Sequence, residues 1–174
     1  MDVMTVALGI DIGGTGIKGA LVDTDSGELA SERIKLATPE GGEPQAVLET
    51  VLEIIDGLGS AADGVPVGVC FPAVVRHGTT MSAANVSKKW IGLEAERFFE
   101  KALGRDIVFV NDADAAGVAE ARFGAAKGAA SNPLYTAWGA MGLAAAASAT
   151  RLAVSTSMVE QSISNVPGAA AVKT

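Results

Sequence analysis

The sequence is poor in the residues that form covalent or metal cross-links. It contains one cysteine, Cys70, and one histidine, His77. A single cysteine cannot form an intramolecular disulfide, and these two residues cannot assemble a zinc site of Cys and His ligands. We interpret Cys70 as a small buried side chain and His77 as a loop residue. A reducing cytoplasm suits this composition, and the acidic start lacks the charged region and cleavage site of a signal peptide.

Basic residues are scarce as well. Among 174 residues, 13 Lys and Arg face 20 Asp and Glu, which gives a formal net charge of -7. This balance argues against nucleic acid as the main partner, because no basic stripe is available to displace counterions from phosphates. A membrane span is not expected either, since the one long weakly polar stretch is rich in Ala and Ser and is interrupted by Arg151.

The spacing of apolar residues changes along the first two thirds of the chain. Runs and alternating patterns typical of strands come first, and segments with helical spacing follow. The predicted elements are strands 4–14, 17–23 and 28–37, a helix at 44–58, a strand at 65–71, a helix at 93–103, a strand at 106–110 and a helix at 113–123. We expect the third strand to pair antiparallel with the second. The order βββαβαβα predicts an α/β domain with a mixed sheet and helices on its faces.

The composition changes near Gly124. Residues 1–124 hold 19 of the 20 acidic residues and ten of the 13 basic ones, whereas residues 125–174 are rich in Ala and Ser. The second segment shows neither a period of 2 nor one of 3.6. We therefore predict one domain at 1–124 and an atypical low-complexity tail at 125–174. Our hypothesis for the tail is a frameshifted or truncated reading frame, which the coding DNA would test.

Glycines, a hydroxyl and two charged residues lie between the first two strands. The set comprises Asp11, Gly13, Gly14, Thr15, Gly16 and Lys18. Glycines let backbone N–H groups approach phosphate oxygens, and Thr15 adds a hydroxyl donor. Asp11 is placed to hold Mg²⁺ or its waters. A β-branched residue at Gly14 is therefore expected to block donor binding and to leave sugar binding almost intact.

The glycine loop also admits a purely structural interpretation. It is neither a Walker A loop nor a dinucleotide-binding fingerprint, because a strand and not a helix follows the glycines. A tight hairpin turn without any ligand accounts for the same residues equally well.

Two later segments extend the pattern. Cys-Phe-Pro-Ala-Val-Val at 70–75 is followed by Ser-Ala-Ala-Asn-Val at 82–86 and Lys-Lys-Trp-Ile-Gly at 88–92, and Val-Phe-Val-Asn-Asp-Ala-Asp-Ala-Ala-Gly occupies 108–117. Together with the glycine loop, these segments resemble the ROK family of sugar kinases and repressors, especially its polyphosphate-using glucokinase and glucomannokinase branch. The resemblance runs in order from about residue 6 to residue 127.

The resemblance implies a fold, a set of site residues and a set of ligands. The fold is an actin-like, ribonuclease-H-like domain with phosphate at the first hairpin and a hexose in the cleft opposite. The implied site consists of Asp11, Gly13, Gly14, Thr15 and Lys18 for phosphate, Asn85, Asn111 and Asp112 for the sugar hydroxyls, Asp112 as catalytic base, and Asp11 for the metal. The implied ligands are glucose or mannose, polyphosphate or ATP as donor, and Mg²⁺. A homodimer is the candidate assembly.

The same residues also suit plain structural roles. Asn111 and Asp112 are good caps for the following helix, and Asp114 is an equally good first-turn acid. Asn85 is either a turn residue or a sugar ligand, with Trp90 nearby as a candidate wall for the sugar. A further group is either a solvated surface group or a binding surface for polyphosphate; it consists of Arg76, Lys88 and Lys89.

Two family segments have no counterpart in this sequence. Family kinases carry a second glycine-rich phosphate loop and then a Glu-Gly-His or Leu-Gly-His sugar-binding segment, and neither follows residue 127. We therefore expect low or no kinase activity from this chain. The alternative to an enzyme is a catalytically defective fragment or a sugar-binding, non-enzymatic protein. A repressor is less favoured, because the charge is wrong for DNA.

Limited proteolysis tests the predicted domain boundary. All clearly periodic apolar segments lie in residues 1–124, so we expect trypsin to cut first after Lys127 or Arg151. Mass spectrometry of a digestion time course would identify the first products. Protection of both of these bonds would contradict the prediction.

Overall fold

The computed structural model describes residues 6–123, so the predicted tail at 125–174 lies outside the described residues. The elements are β1 Val6–Ile12, β2 Gly16–Asp23, β3 Ile34–Ala37, α1 Pro44–Leu58, β4 Val67–Phe71, β5 Val75–Arg76, β6 Thr79–Thr80, α2 Ala95–Leu103, β7 Ile107–Asn111 and α3 Asp112–Phe123. None of the described helices is long and apolar enough to cross a membrane.

Five strands form one mixed sheet in the order β3-β2-β1-β4-β7. The first three pair antiparallel, whereas β4 and β7 continue the sheet parallel to β1. The prediction of a mixed sheet with helices is confirmed, as is the antiparallel pairing of the third strand. The small hairpin of β5 and β6 was not predicted, because two residues a strand are too few to show a period.

The third strand is shorter than predicted. It begins at Ile34, and Leu29 makes only an isolated bridge to Val22. Between them, the hydroxyl oxygen of Ser31 accepts a hydrogen bond of 2.9 Å from the backbone N–H of Leu21. A side chain therefore occupies a ladder position that a strand backbone would otherwise fill, which the alternating pattern of the sequence does not reveal.

The hydrophobic core lies between one face of the sheet and α1. That helix buries Val47, Leu48, Val51 and Ile54. A Cβ at Gly19 would collide with Cγ2 of Ile54, so the missing side chain lets the helix approach β2 closely. An aromatic cluster of Phe71, Trp90, Phe99 and Phe109 continues the core beneath β4 and β7.

Two carboxylates of α2 cover the outer edge of β7. Glu96 Oε2 accepts from the N–H of Phe109 at 3.2 Å, and Glu100 Oε1 accepts from the N–H of Ile107 at 3.4 Å. Unpaired edge amides would otherwise offer a template for another strand. Burial raises the pKa of Glu96, although the hydrogen bond from Phe109 opposes the shift and Glu100 reinforces it.

The raised pKa of Glu96 predicts how stability depends on pH. Because the folded value lies above the unfolded one, the contribution of Glu96 is complete below the ordinary glutamate pKa near 4.5 and is lost as pH rises through the folded value. Glu96→Gln keeps an acceptor and removes the titration. We expect the stability of the wild type relative to Glu96→Gln to fall as pH rises from 4.5 toward neutrality. Urea denaturation across this range measures it.

Glu53→Gln, at an exposed position of α1, is the matched control and should show a smaller pH-dependent difference. A difference between wild type and Glu96→Gln that does not change with pH would contradict the prediction.

Candidate functional site

The glycine loop between β1 and β2 is held by its own backbone and by Thr38. The N–H of Gly13 donates to the carbonyl of Gly16 at 3.0 Å, and the hydroxyl of Thr38 donates to the carbonyl of Gly13 at 2.6 Å. The N–H of Thr38 also donates to the carbonyl of Thr15 at 3.3 Å. Sequence reasoning missed Thr38, whose only signal is its position directly after the third strand.

Two backbone N–H groups of this loop remain available. Within residues 6–123, the amides of Gly14 and Thr15 donate to no protein group, and both residues are exposed. Neighbouring free N–H groups in a fixed loop, with the Thr15 hydroxyl beside them, suit an anion. The amide of Gly13 differs, because it closes the hairpin. Of the predicted phosphate residues, Gly13 thus shapes the loop while Gly14 and Thr15 present donors.

The glycine loop lies directly against the segment that carries Asn85. A Cβ built on Gly14 would be 3.1 Å from Cβ of Asn85 and 3.4 Å from its carbonyl oxygen. Gly14 does not have a positive φ, so close packing against Asn85, and not backbone conformation, favours a glycine there. The structure therefore brings the predicted hexose ligand Asn85, which is exposed, next to the predicted phosphate loop.

Asp11 and Lys18 form an ion pair beside the loop. They are direct partners across β1 and β2, with Lys18 Nζ 3.5 Å from Asp11 Oδ2 and side chains only 16% and 10% exposed. Burial raises the pKa of Asp11, Lys18 lowers it, and the charge of Asp112 adds to the increase. Asp11 and Asp112 therefore act on each other electrostatically at this edge of the sheet.

Asn111 and Asp112 lie where β7 passes into α3. The side-chain oxygen of Asn111 accepts from the N–H groups of Ala113 and Asp114 at 2.9 and 3.2 Å, and its amide donates to the carbonyl of Ala73 at 2.8 Å. The capping interpretation of Asn111 is correct, and one hydrogen of its side-chain amide bonds to no other described residue. Asp112 Oδ1 accepts from the N–H of Ala113 at 2.8 Å, whereas its second oxygen bonds to no other described residue. Asp114 is exposed.

The interpretation of Trp90 as a wall for the sugar was wrong. Trp90 is fully buried, its ring centroid lies 4.4 Å from that of Phe71, and its Nε1 donates to the carbonyl of Gly42 at 2.8 Å. Its aromatic neighbours are distant in the sequence, so the loop-like composition around it concealed a core residue. Cys70 is buried and His77 lies in the β5–β6 turn, as predicted.

The three basic residues considered for polyphosphate lie in different surroundings. Lys89 Nζ is 2.7 Å from Glu43 Oε2, and this contact lowers the pKa of Glu43. Arg76 lines a cavity of about 480 Å³ together with His77, Gly78 and Glu96. Lys88 is exposed. The charge of Lys89 is therefore partly neutralised, while Lys88 stays a candidate contact.

Comparison with known proteins identifies the family. A model of the ROK family matches residues 7–144. The chain belongs to the ROK family. It is 49% identical over 120 residues to the polyphosphate glucokinase of Mycobacterium tuberculosis strain H37Rv, an alignment that covers 68% of this chain and 44% of that protein.

Solved structures of ROK proteins share the fold. The inorganic polyphosphate/ATP-glucomannokinase of Arthrobacter sp. strain KM superposes with a TM-score of 0.68 at 45% identity, over 71% of this chain and 51% of that one. A Streptomyces griseus ROK glucokinase in complex with glucose and AMPPNP gives 0.59 at 29% identity, over 71% and 38%. These matches confirm the predicted actin-like α/β fold. This chain spans about half or less of the length of these relatives.

The contact between Gly14 and Asn85 changes what a substitution in the loop should do. Gly14→Val would press on Asn85 as well as obstruct the loop amides, because even its Cβ would lie 3.1 Å from Cβ of Asn85. We therefore expect both donor and glucose affinity to fall, by about tenfold or more. Isothermal titration with each ligand measures both affinities.

Gly117→Val is the matched control, since a Cβ there would meet no atom within 4 Å. Loss of donor affinity with unchanged glucose affinity would show that Asn85 either yields freely or does not contact the sugar.

Proposed function

We propose that this chain carries the phosphate- and sugar-handling half of a sugar kinase that transfers a phosphoryl group from polyphosphate or ATP to the 6-hydroxyl of glucose or mannose. The observation that carries the proposal is the joining of three groups at one edge of the sheet. The glycine loop, which carries the free amides, lies against Asn85 at Gly14, and the charge of Asp112 acts on Asp11 beside the same loop. In sheets of this kind, ligands bind beyond the carboxyl ends of parallel strands.

The proposed mechanism gives each side chain one task. Asn85 and the remaining amide hydrogen of Asn111 hold hexose hydroxyls, while the amides of Gly14 and Thr15 hold phosphate oxygens of the donor. As the 6-oxygen forms its bond to the terminal phosphorus, the bond from that phosphorus to the bridging oxygen of the donor breaks. Asp112 accepts the proton of the 6-hydroxyl. Phosphoryl transfer otherwise depends mainly on positioning and on charge stabilisation.

The described residues fit Mg²⁺ only as a partly hydrated ion. No group of three or more His, Cys, Asp or Glu side chains within residues 6–123 is arranged to hold a metal. Mg²⁺ commonly uses one or two carboxylates together with phosphates and waters, and Asp11 would supply one carboxylate. When bound, the ion would neutralise charge on the donor phosphates.

The proposal also covers the binding partners and the cellular location of the protein. We propose a cytoplasmic protein that does not bind nucleic acid, in keeping with its net charge of -7, and a homodimer as its assembly. The M. tuberculosis relative is named a polyphosphate glucokinase, and the S. griseus structure contains glucose and AMPPNP. Both support glucose as the sugar and a phosphoanhydride as the donor.

The competing proposal is a protein that binds sugar without catalysis. Residues 125–174 contain neither the second phosphate loop nor the downstream sugar ligands of family kinases, so we expect low or no turnover from these 174 residues alone. A coupled assay of the purified chain with glucose, Mg²⁺ and either donor separates the two. Glucose binding without turnover would favour the competing proposal, and robust turnover would remove it.

Asp112→Asn tests the general base. The amide preserves shape and hydrogen bonding but cannot accept the proton, so turnover should fall by about 10²- to 10⁴-fold. Glucose affinity should change much less, which titration of glucose alone would verify. Asp114→Asn, two residues further in the same helix, is the matched control and should retain turnover. Equal loss in both variants would show that the first turn of α3, and not a base, is at fault.

A further inference from the structure

A row of three charged residues crosses the antiparallel strands next to the glycine loop. Asp11 of β1 is paired with Lys18 of β2, and Lys18 is in turn paired with Lys35 of β3. Direct partners in adjacent strands project from the same face of a sheet. Two lysines therefore stand opposite each other, an arrangement that is destabilising unless an anion compensates it.

The two lysines differ in how their charge is balanced. Lys18 is mostly buried, and its amine contacts Asp11 at 3.5 Å. Lys35 is exposed and forms no ion pair with any residue in 6–123. The uncompensated positive charge of the pair thus belongs to Lys35.

The side chain of Lys35 lies across the base of the glycine loop. A Cβ built on Gly16 would be 3.2 Å from Cε of Lys35 and 3.9 Å from its Cγ. The missing side chain at Gly16 therefore makes room for the side chain of Lys35 against β2. The same strand anchors the loop, because Thr38 directly follows β3 and bonds to Gly13 and Thr15.

We propose that Lys35 is a donor-binding residue that contacts a phosphate of a phosphoanhydride chain on the β3 side of the glycine loop. This inference rests on the proposed function. The loop amides and the Thr15 hydroxyl offer hydrogen bonds without net charge, and Asp11 offsets the charge of Lys18. Lys35 supplies the unbalanced cation that a polyanion needs in order to approach a protein with a net charge of -7.

Donor affinity of the full chain tests this proposal without relying on turnover. Polyphosphate of defined length and ATP are titrated separately, at low and at moderate salt, into wild type, Lys35→Met, Lys35→Arg and Lys101→Met. Methionine keeps most of the aliphatic stem, arginine keeps the charge, and Lys101 is an exposed control lysine at the end of α2. Glucose is titrated into each variant to show that the hexose site is intact.

We expect Lys35→Met to weaken polyphosphate binding by about tenfold, as for one charge-assisted contact, and to weaken it more at low salt. Lys35→Arg and Lys101→Met should bind within about twofold of the wild type. A loss for ATP as well places the contact on phosphates common to both donors, and a loss for polyphosphate alone places it on the longer chain. Either result supports the role of Lys35.

Thermal unfolding supplies an independent readout. Without donor, Lys35→Met should be at least as stable as the wild type, because it removes a lysine opposite Lys18. With donor, it should gain less in Tm than the wild type. A merely structural role of Lys35 would lower the Tm without donor and leave the donor-induced gain unchanged.

Two results would overturn the proposal in distinguishable ways. Donor affinity of Lys35→Met within twofold of the wild type, with both donors still bound by the wild type, would refute the role of Lys35 alone. Binding of neither donor by the wild type would refute the proposed function and this inference together.

Discussion

The register of the three parallel strands fixes the positions of Asp11 on β1 and of Asn111 at the end of β7. Ile10, Val69 and Phe109 are direct partners across β1, β4 and β7, and all three are fully buried. A shift of one residue in any strand would turn this apolar set away from the core, so burial locks the register. The next residue of each strand, namely Asp11, Cys70 and Val110, is then paired with its neighbour on the opposite face of the sheet. The glycine loop follows the end of β1 and Asp112 follows the end of β7, so both lie at the same edge of the sheet.

The mostly buried ion pair of Asp11 and Lys18 carries a desolvation cost. Asp11 is buried enough for its pKa to be raised, even though Lys18 opposes the shift. A carboxylate kept in such a place disfavours folding unless its partner is retained, which makes the pair weak evidence for stability and stronger evidence for function. The amine of Lys18 is held by Asp11, so the exposed donors of the glycine loop are the amide groups of Gly14 and Thr15. An anion that binds there meets oriented N–H groups and does not have to displace a protein carboxylate.

Sequence patterns predicted those features whose cause is local. The helix at 44–58 was predicted with its observed bounds, because its apolar residues recur with helical spacing and Pro44 begins it. The loop between β1 and β2 was evident from its glycines. The packing of Trp90 on Phe71, the bond from Asn111 to Ala73 and the contact between Gly14 and Asn85 depend on partners 19 to 71 residues away in the chain. No local pattern encodes such partners, and the pairing of Lys18 with Lys35 likewise appears only once the strand register is known.

The two side edges of the sheet explain why the loop edge is the one left for a ligand. At β7, the outward N–H groups of Ile107 and Phe109 already bond to Glu100 and Glu96, so this edge is closed by side chains of α2. At the other side, β3 has only four residues and carries the exposed charge of Lys35, which disfavours pairing with a further strand. The two outward amides of β7 are thus hydrogen-bonded, and a charged side chain on β3 disfavours pairing there. The amides of Gly14 and Thr15 combine exposure, a fixed conformation and a nearby lysine, which is the combination of properties on which the proposed phosphate site rests.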